Sequence, residues 1–229
     1  MRKYIIMGAQ GSGKGTQALM LAEDFDLVHI SVGDIFRWHV QKHTKIGARV
    51  KRIVSAGHLV PDELVADVVK TRLDQHDWNY GCILDGFPRN APQARFFLES
   101  YDIDAVIHVD VPDPVVMERI LSRRLCSKCG LDFNLIFHRP KAADVCDVCQ
   151  GALVARADDT PEAVAGRLRD YREKTHPILE LFQAKEFVVD VDGTRPVLEV
   201  QNEIRRRLEL PLRAARPSAA AEPALVAAG

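Results

Sequence analysis

Three groups of residues have types and spacings suited to chemistry. The first is Gly8-Ala9-Gln10-Gly11-Ser12-Gly13-Lys14, which fits G-x-x-x-x-G-K. Glycines let the backbone turn so that successive N–H groups point at one anion, and a helix starting at the lysine adds its positive end. The lysine then reaches the outer phosphates of a nucleoside triphosphate. Gly11, Ser12, Gly13, Lys14, Gly15 and Thr16 are the candidate phosphate ligands. The general pattern puts Ser or Thr directly after the lysine. Here Gly15 stands there and Thr16 follows, so the metal-holding hydroxyl is displaced by one residue. A glycine-rich turn without a ligand has the same spelling; a strand before it and a helix after it favour the phosphate reading.

The second group is Asp85-Gly86-Phe87-Pro88-Arg89, which follows the short apolar run Gly81 to Leu84. A carboxylate and a guanidinium at the end of a buried strand suit a metal and a phosphate. An N-cap or turn carboxylate and a surface arginine are the bland alternatives. The third group is Cys126/Cys129 and Cys146/Cys149, two C-x-x-C pairs sixteen residues apart. That spacing falls in the structural zinc range, and four thiolates close a tetrahedron with no open position for catalysis. Redox thiols or incidental cysteines are the alternatives. Cys82 stands alone and reads as a small buried hydrophobe. The histidines show no ligand spacing, and no Ser-His-Asp or Cys-His grouping stands out.

The elements that hold these groups alternate. Lys3 to Met7 reads as a buried strand, Thr16 to Glu23 as a helix, and Ser31 to Val60 as short helices punctuated by Gly33, Gly47 and Gly57. Pro61-Asp62-Glu63 opens a helix with acidic residues in its first turn. Gly81 to Leu84 and Ala105 to Val111 read as strands, with helices over Pro92 to Glu99 and from Pro114 to about Arg124. Leu125 to Ala157 interrupts the rhythm and reads as an inserted subdomain around the cysteines. A helix from Thr160-Pro161-Glu162 to about Lys185, a strand at Phe187 to Val191 and a last helix through about Leu208 complete the pattern. Strands alternating with helices predict an α/β fold with a parallel, doubly wound sheet whose ligands bind at the C-terminal strand ends. Pro211 to Gly229 is Ala/Pro-rich and is expected to be a disordered tail.

The 229 residues fit one domain with insertions. With 31 basic and 32 acidic residues the net charge is -1, so no general pull toward nucleic acid or membrane is implied. In the cysteine insert Lys128, Arg139 and Lys141 are offset by Asp132, Asp144 and Asp147, which argues against a nucleic-acid ribbon. No apolar run is long enough to span a bilayer and no secretory signal is visible, so a cytoplasmic protein is expected. No membrane partner and no obligate dimer are expected either; a monomer is.

The spelling Gly8-x-x-Gly11-x-Gly13-Lys14-Gly15-Thr16 resembles the adenylate kinases and their nucleoside monophosphate kinase relatives. Ser31-Val32-Gly33-Asp34-Ile35-Phe36-Arg37 is similar to the start of their monophosphate-binding part, and Leu84 to Arg89 with Pro92-Gln93 to their signature. The cysteine insert, followed by Arg156 and Asp158-Asp159, resembles the zinc-bearing lid of some bacterial members. The likeness covers about residues 1 to 208. It implies a P-loop NTPase-type sheet flanked by helices, with residues 1–30, 61–122 and 160–210 as the core. Residues 31–60 would form a helical monophosphate-binding insert and 123–159 a zinc-bound lid. It implies reversible transfer of the terminal phosphoryl group of ATP to AMP, giving two ADP, with Mg²⁺ and structural Zn²⁺.

By the same resemblance Arg37 and Arg89 would grip the acceptor phosphate, and Arg123, Arg156 and Arg167 would clamp the transferring group. Arg119 and Arg195 would attend ATP. Val32, His58, Leu59, Val60, Gly86, Phe87, Pro88 and Gln93 would line the AMP site, and Asp85 would organise Mg²⁺ through water. Three positions depart from the family: Val32 stands where Thr or Ser is usual, Gln10 where Pro is common and His58 where many members have Lys. Val32 lacks a hydroxyl, so another acceptor monophosphate, or GTP as donor, stays open.

Overall fold

The structure, a computed structural model, describes residues 2–55, 60–137, 139–156 and 159–214. Five parallel strands form the central sheet: β1 (Lys3–Met7), β2 (Leu27–Ser31), β3 (Gly81–Asp85), β4 (Ala105–Asp110) and β8 (Val188–Asp192), in the order β2-β3-β1-β4-β8. β1 lies in the middle, and its side chains alternate between two apolar layers. Tyr4 and Ile6 join one cluster with residues of α1 (Lys14–Phe25), α6 (Asp113–Leu121), α7 (Pro161–Asp170) and α9 (Val197–Arg207). Ile5 and Met7 join the other, with α2 (Val32–Gln41), α3 (Lys45–Ser55), α4 (Asp62–Asp74), α5 (Ala91–Ser100) and α8 (Ile178–Gln183). Burial on both faces is why these strands read as near-continuous apolar runs.

β2 was not foreseen. It is short, carries His29 in its centre, and follows Asp26, a left-handed C-cap at φ 51° that ends α1 without a glycine. The helix expected from Pro161 to Lys185 is broken. Between α7 and α8 the segment Tyr171–Thr175 is π-helical, and the His176 N–H donates to the Tyr171 carbonyl at 2.7 Å, five residues back. The helix expected to run to Arg124 stops at Leu121, so Arg123 lies on a strand instead.

That strand, β5 (Arg123–Cys126), pairs antiparallel with β6 (Asp132–Asn134) and β7 (Leu153–Val154) in a separate sheet. Cys126, Phe133, Cys146 and Leu153 make its small core. At the other end of the chain, Asn202 on α9 exchanges two hydrogen bonds with the Arg213 backbone, at 3.2 and 2.9 Å, and Arg205 donates to the Pro211 carbonyl. Residues 211–214 of the expected tail are therefore held against α9, and 215–229 lie outside the described residues. Among the described residues no helix is long and apolar enough to cross a membrane.

Candidate functional site

The central position of β1 between β3 and β4 puts the turn after it at the middle of the C-terminal sheet edge. Gly8, Gly11 and Gly13 have φ of 148°, 86° and 94°. A side chain at Gly11 would also drive its Cβ to 2.6 Å from Ile120 on α6. Gly13 caps α1 in the left-handed region, so the loop runs straight into the helix N-terminus. The expected strand, glycine loop and helix are present. Ser12 is buried and its hydroxyl oxygen has no hydrogen-bond partner, while Thr16 is exposed.

The register sets Asp85, the last residue of β3, beside Ile6 of β1 and Ser31 of β2. Asp85 is buried, its Oδ1 lacks a hydrogen-bond partner, and its Oδ2 lies 3.5 Å from Nε2 of His29. Burial alone would raise its pKa; His29 and Lys14 outweigh that and hold it below the ordinary carboxylate value. An ionised, buried and half-satisfied carboxylate beside a phosphate loop fits a water-mediated hold on Mg²⁺.

Lys14 is the meeting point of the cations. Burial lowers its pKa, the Asp85 carboxylate opposes this, and the guanidinium groups of Arg89, Arg123 and Arg37 add to it. Burial likewise lowers Arg89, with Asp85 opposing and Arg37 and Arg167 adding. It also lowers Arg156, and Arg123 adds to that. Residues far apart in sequence thus gather like charges in one place. Each cluster edge is held by a carboxylate. Arg37 pairs with Asp34, and Arg156 with Asp132 at 3.2 Å. Arg123 makes two bonds to Asp159, at 3.0 and 2.7 Å. Arg167 lies 3.7 Å from the same Asp159, whose side chain is 1% exposed. Asp159 was legible only by resemblance, and Asp158 lies outside the described residues.

The turn after β3 is built to present Arg89. Its Nε donates to the Gly86 carbonyl at 2.7 Å, and its backbone N–H donates to Gln93 Oε1 at 2.8 Å. Gln93 also donates to Asp62 Oδ1 at 2.7 Å, where Asn90 donates at 2.6 Å. Gln93 therefore keeps one N–H and one lone pair for any ligand. Phe87 and Pro88 are buried, joined by a cis peptide bond, and Phe87 packs edge-on against Phe97 at 5.8 Å. Val32 is 3% exposed within the same apolar cluster, and Val60 packs against it. These side chains pack into the interior rather than into an open cleft. His58 and Leu59 lie outside the described residues.

On the opposite side Arg119 donates to the Ser12 carbonyl at 3.2 Å and lies over the Phe137 ring at 5.3 Å. Phe137 is 60% exposed. Asn134 holds its turn, accepting from the N–H groups of Ile136 and Phe137 at 2.9 and 3.1 Å and donating to the Arg119 carbonyl at 3.0 Å. A guanidinium and an exposed aromatic face beside the loop suit a planar base. Phe137 was missed in the sequence because no motif marks it. Arg195 and Arg119 both act on Asp192, the last residue of β8, whose pKa is lowered chiefly by hydrogen bonds from Thr194.

The four cysteine sulfurs lie within 4.8 Å of one another, with Cys126–Cys149 and Cys129–Cys146 at 3.2 and 3.7 Å. Zinc–sulfur bonds of about 2.3 Å in a tetrahedron require sulfurs roughly 3.8 Å apart, so the set fits a zinc ion. The backbone N–H of Cys129, assisted by that of Lys128, pulls the Cys126 thiol down to about 6. A Cβ at Gly151 would stand 2.7 Å from Cys126 Sγ, which explains a glycine there.

A family model for adenylate kinase matches residues 6–187. A curated adenylate kinase of Methanocella arvoryzae is 41% identical over 208 residues, covering 89% of this chain and 96% of its own length. Those of Lachnoclostridium phytofermentans and Clostridium tetani are each 42% identical, over 207 and 201 residues, covering 88% and 86% of this chain and 95% and 93% of their own. The match runs from the glycine loop through the arginine cluster and the cysteine sheet, the same features that the geometry singles out, and on that ground the chain belongs to the adenylate kinase family.

Proposed function

We propose that the protein transfers the terminal phosphoryl group of ATP to AMP, reversibly, giving two ADP. The observation that carries the reading is the convergence of Arg37, Arg89 and Arg123 on Lys14, at the mouth of the glycine loop and beside an ionised Asp85. Phosphoryl transfer needs positioning and charge stabilisation more than covalent help. An acceptor phosphate with a second pKa near 6 is already largely dianionic at neutral pH, so no general base is needed. Loop amides and Lys14 hold the donor phosphates. Arg37 and Arg89 orient the acceptor oxygen in line, and Arg123, Arg156 and Arg167 face the charge that spreads over the transferring group. Mg²⁺ held through Asp85 would neutralise donor charge, and Zn²⁺ on Cys126, Cys129, Cys146 and Cys149 would staple the lid.

Water is the competing acceptor, so residues 31–60 and 123–159 act as moving parts that close over the two nucleotides while residues 1–30, 61–122 and 160–210 stay as the core. The Arg119–Phe137 pair supports placing the donor base there, with Arg195 nearby. Adenine as acceptor base rests on Gln93, whose remaining donor and acceptor match its edge; Val32 supplies shape without a hydroxyl. Four cysteines set as metal ligands rather than as disulfides suit the reducing cytoplasm, and the reading takes the protein as a monomer. The test is turnover with ATP against AMP, CMP, UMP and GMP. Preference for AMP supports the reading, preference for another monophosphate reassigns the base, and no transfer to any of them sinks it.

A further inference from the structure

The π-helical turn Tyr171–Thr175 touches the Arg89 loop at its backbone, not at the guanidinium. Thr175 is 8% exposed, and its hydroxyl donates to the Arg89 carbonyl at 2.7 Å. The Arg89 N–H is held by Gln93 at 2.8 Å. Both backbone polar groups of that one residue are therefore pinned by side chains, one from α5 and one from the π-turn. A helical threonine usually directs its hydroxyl at the carbonyl one turn back. Here the Tyr171 carbonyl accepts from the His176 N–H at 2.7 Å, and the Thr175 hydroxyl donates to Arg89, 86 positions away in sequence. The one extra residue of the turn rotates the rest of the helix by about 100°, so the bulge decides which side chain meets the loop.

The start of the turn is anchored independently. The Tyr171 hydroxyl and His108 Nε2 are 2.8 Å apart, and His108 Nδ1 is 2.8 Å from Asp190 Oδ1. His108 and Asp190 are cross-strand neighbours on β4 and β8. With His108 Nδ1 donating to Asp190, its Nε2 accepts from the tyrosine, and the chain of bonds is satisfied. One end of the turn is thereby fixed to the sheet and the other to Arg89. Arg167 sits one helical turn before Tyr171.

We propose that Thr175 is a positioning residue for the acceptor side of the reaction. Its hydroxyl sets the backbone of Arg89 relative to the sheet and to α7, and so aims the Arg89 guanidinium at the acceptor phosphate. This rests on the phosphotransfer reading.

The test compares Thr175→Val, which keeps the shape and removes the donor, with Thr175→Ser, which keeps the donor. Thr175→Ala repeats the deletion without bulk in case valine fails to fold. Steady-state kinetics with ATP and AMP are read alongside calorimetric AMP binding. Val and Ala raise the AMP KM and dissociation constant about tenfold, with the ATP KM within about twofold of wild type, and Ser stays within about twofold of wild type on all counts. Three results would overturn the proposal: unchanged AMP constants in Val and Ala, a Ser variant as impaired as Val, or equal loss for both nucleotides, which marks general loosening. A wild-type protein that binds AMP but transfers nothing breaks the phosphotransfer reading instead, and the binding series still decides the role of Thr175.

Discussion

Truncating Arg89 to alanine separates its side chain from the loop that carries it. The Arg89 backbone stays held without the guanidinium, because Gln93 and Thr175 bind it through their own side chains, and the loop loses only the bond to the Gly86 carbonyl. The loss is that of a fork whose Nε is committed to Gly86, leaving two Nη groups for a phosphate. Charge-assisted hydrogen bonds are worth about 1.5–3 kcal/mol each, so two of them amount to about 3–6 kcal/mol. At about 1.4 kcal/mol per tenfold, that is roughly 10² to 10⁴ in kcat/KM. Arg89 is half-buried, and residual water in the open site moves the expectation to the lower half of that range. Arg89→Lys keeps the charge but loses both the fork and the Gly86 anchor, and recovers only part of the loss. ADP formation from ATP and AMP at saturating Mg²⁺ is the assay, with the melting curve as the control on folding. An Arg89→Ala protein that melts like wild type and turns over within about threefold of it refutes the reasoning.

Phe137→Ala should raise the KM for ATP by about fivefold, as loss of one stacking surface predicts, with little change for AMP; equal effects on both would remove the donor base from the Arg119–Phe137 pair. Gly151→Ala should lower the bound metal per chain and the melting temperature together, because the added Cβ meets Cys126 Sγ at 2.7 Å; full metal content in the variant would count against the tetrahedral cluster. Chelation of the wild-type protein should likewise lower its melting temperature, and an unshifted curve after verified removal would contradict the staple. For Asp85 the folded pKa lies below the unfolded one, so its ionised form stabilises the protein above about pH 4, and that contribution fades as pH falls through the folded value. The stability gap between wild type and Asp85→Asn, followed by denaturant titration, should therefore be widest near neutrality and shrink in acid; a gap that grows in acid reverses the sign.

The glycine loop and the Asp85–Arg89 turn were legible because each is a local device, written within a few residues by glycine, proline and charge. The cysteine set was legible because metal ligands leave fixed spacings. Much else depended on contacts between distant elements. β2 escaped because a central histidine and a non-glycine C-cap hide a short buried strand. The break at Tyr171 escaped because its cause is a partner, His108, on another strand. Phe137 looks like any exposed aromatic until Arg119 is found beneath it. Phe87 and Pro88 carry the family spelling and Val32 departs from it, yet all three side chains serve the apolar interior rather than pointing at an open cleft.

The aspartates paired with the arginines make the resting site an ion exchanger. Asp34, Asp132 and Asp159 already occupy the guanidinium groups of Arg37, Arg156, Arg123 and Arg167. An anion arriving at any of these four has to displace a tethered carboxylate, and a single negative charge such as chloride gains little by doing so. A phosphate dianion gains more at each fork, and two nucleotides together gain the most. On the proposed reading, ordinary salt gains little at these four forks, and their charge is freed only when nucleotide phosphates displace the aspartates.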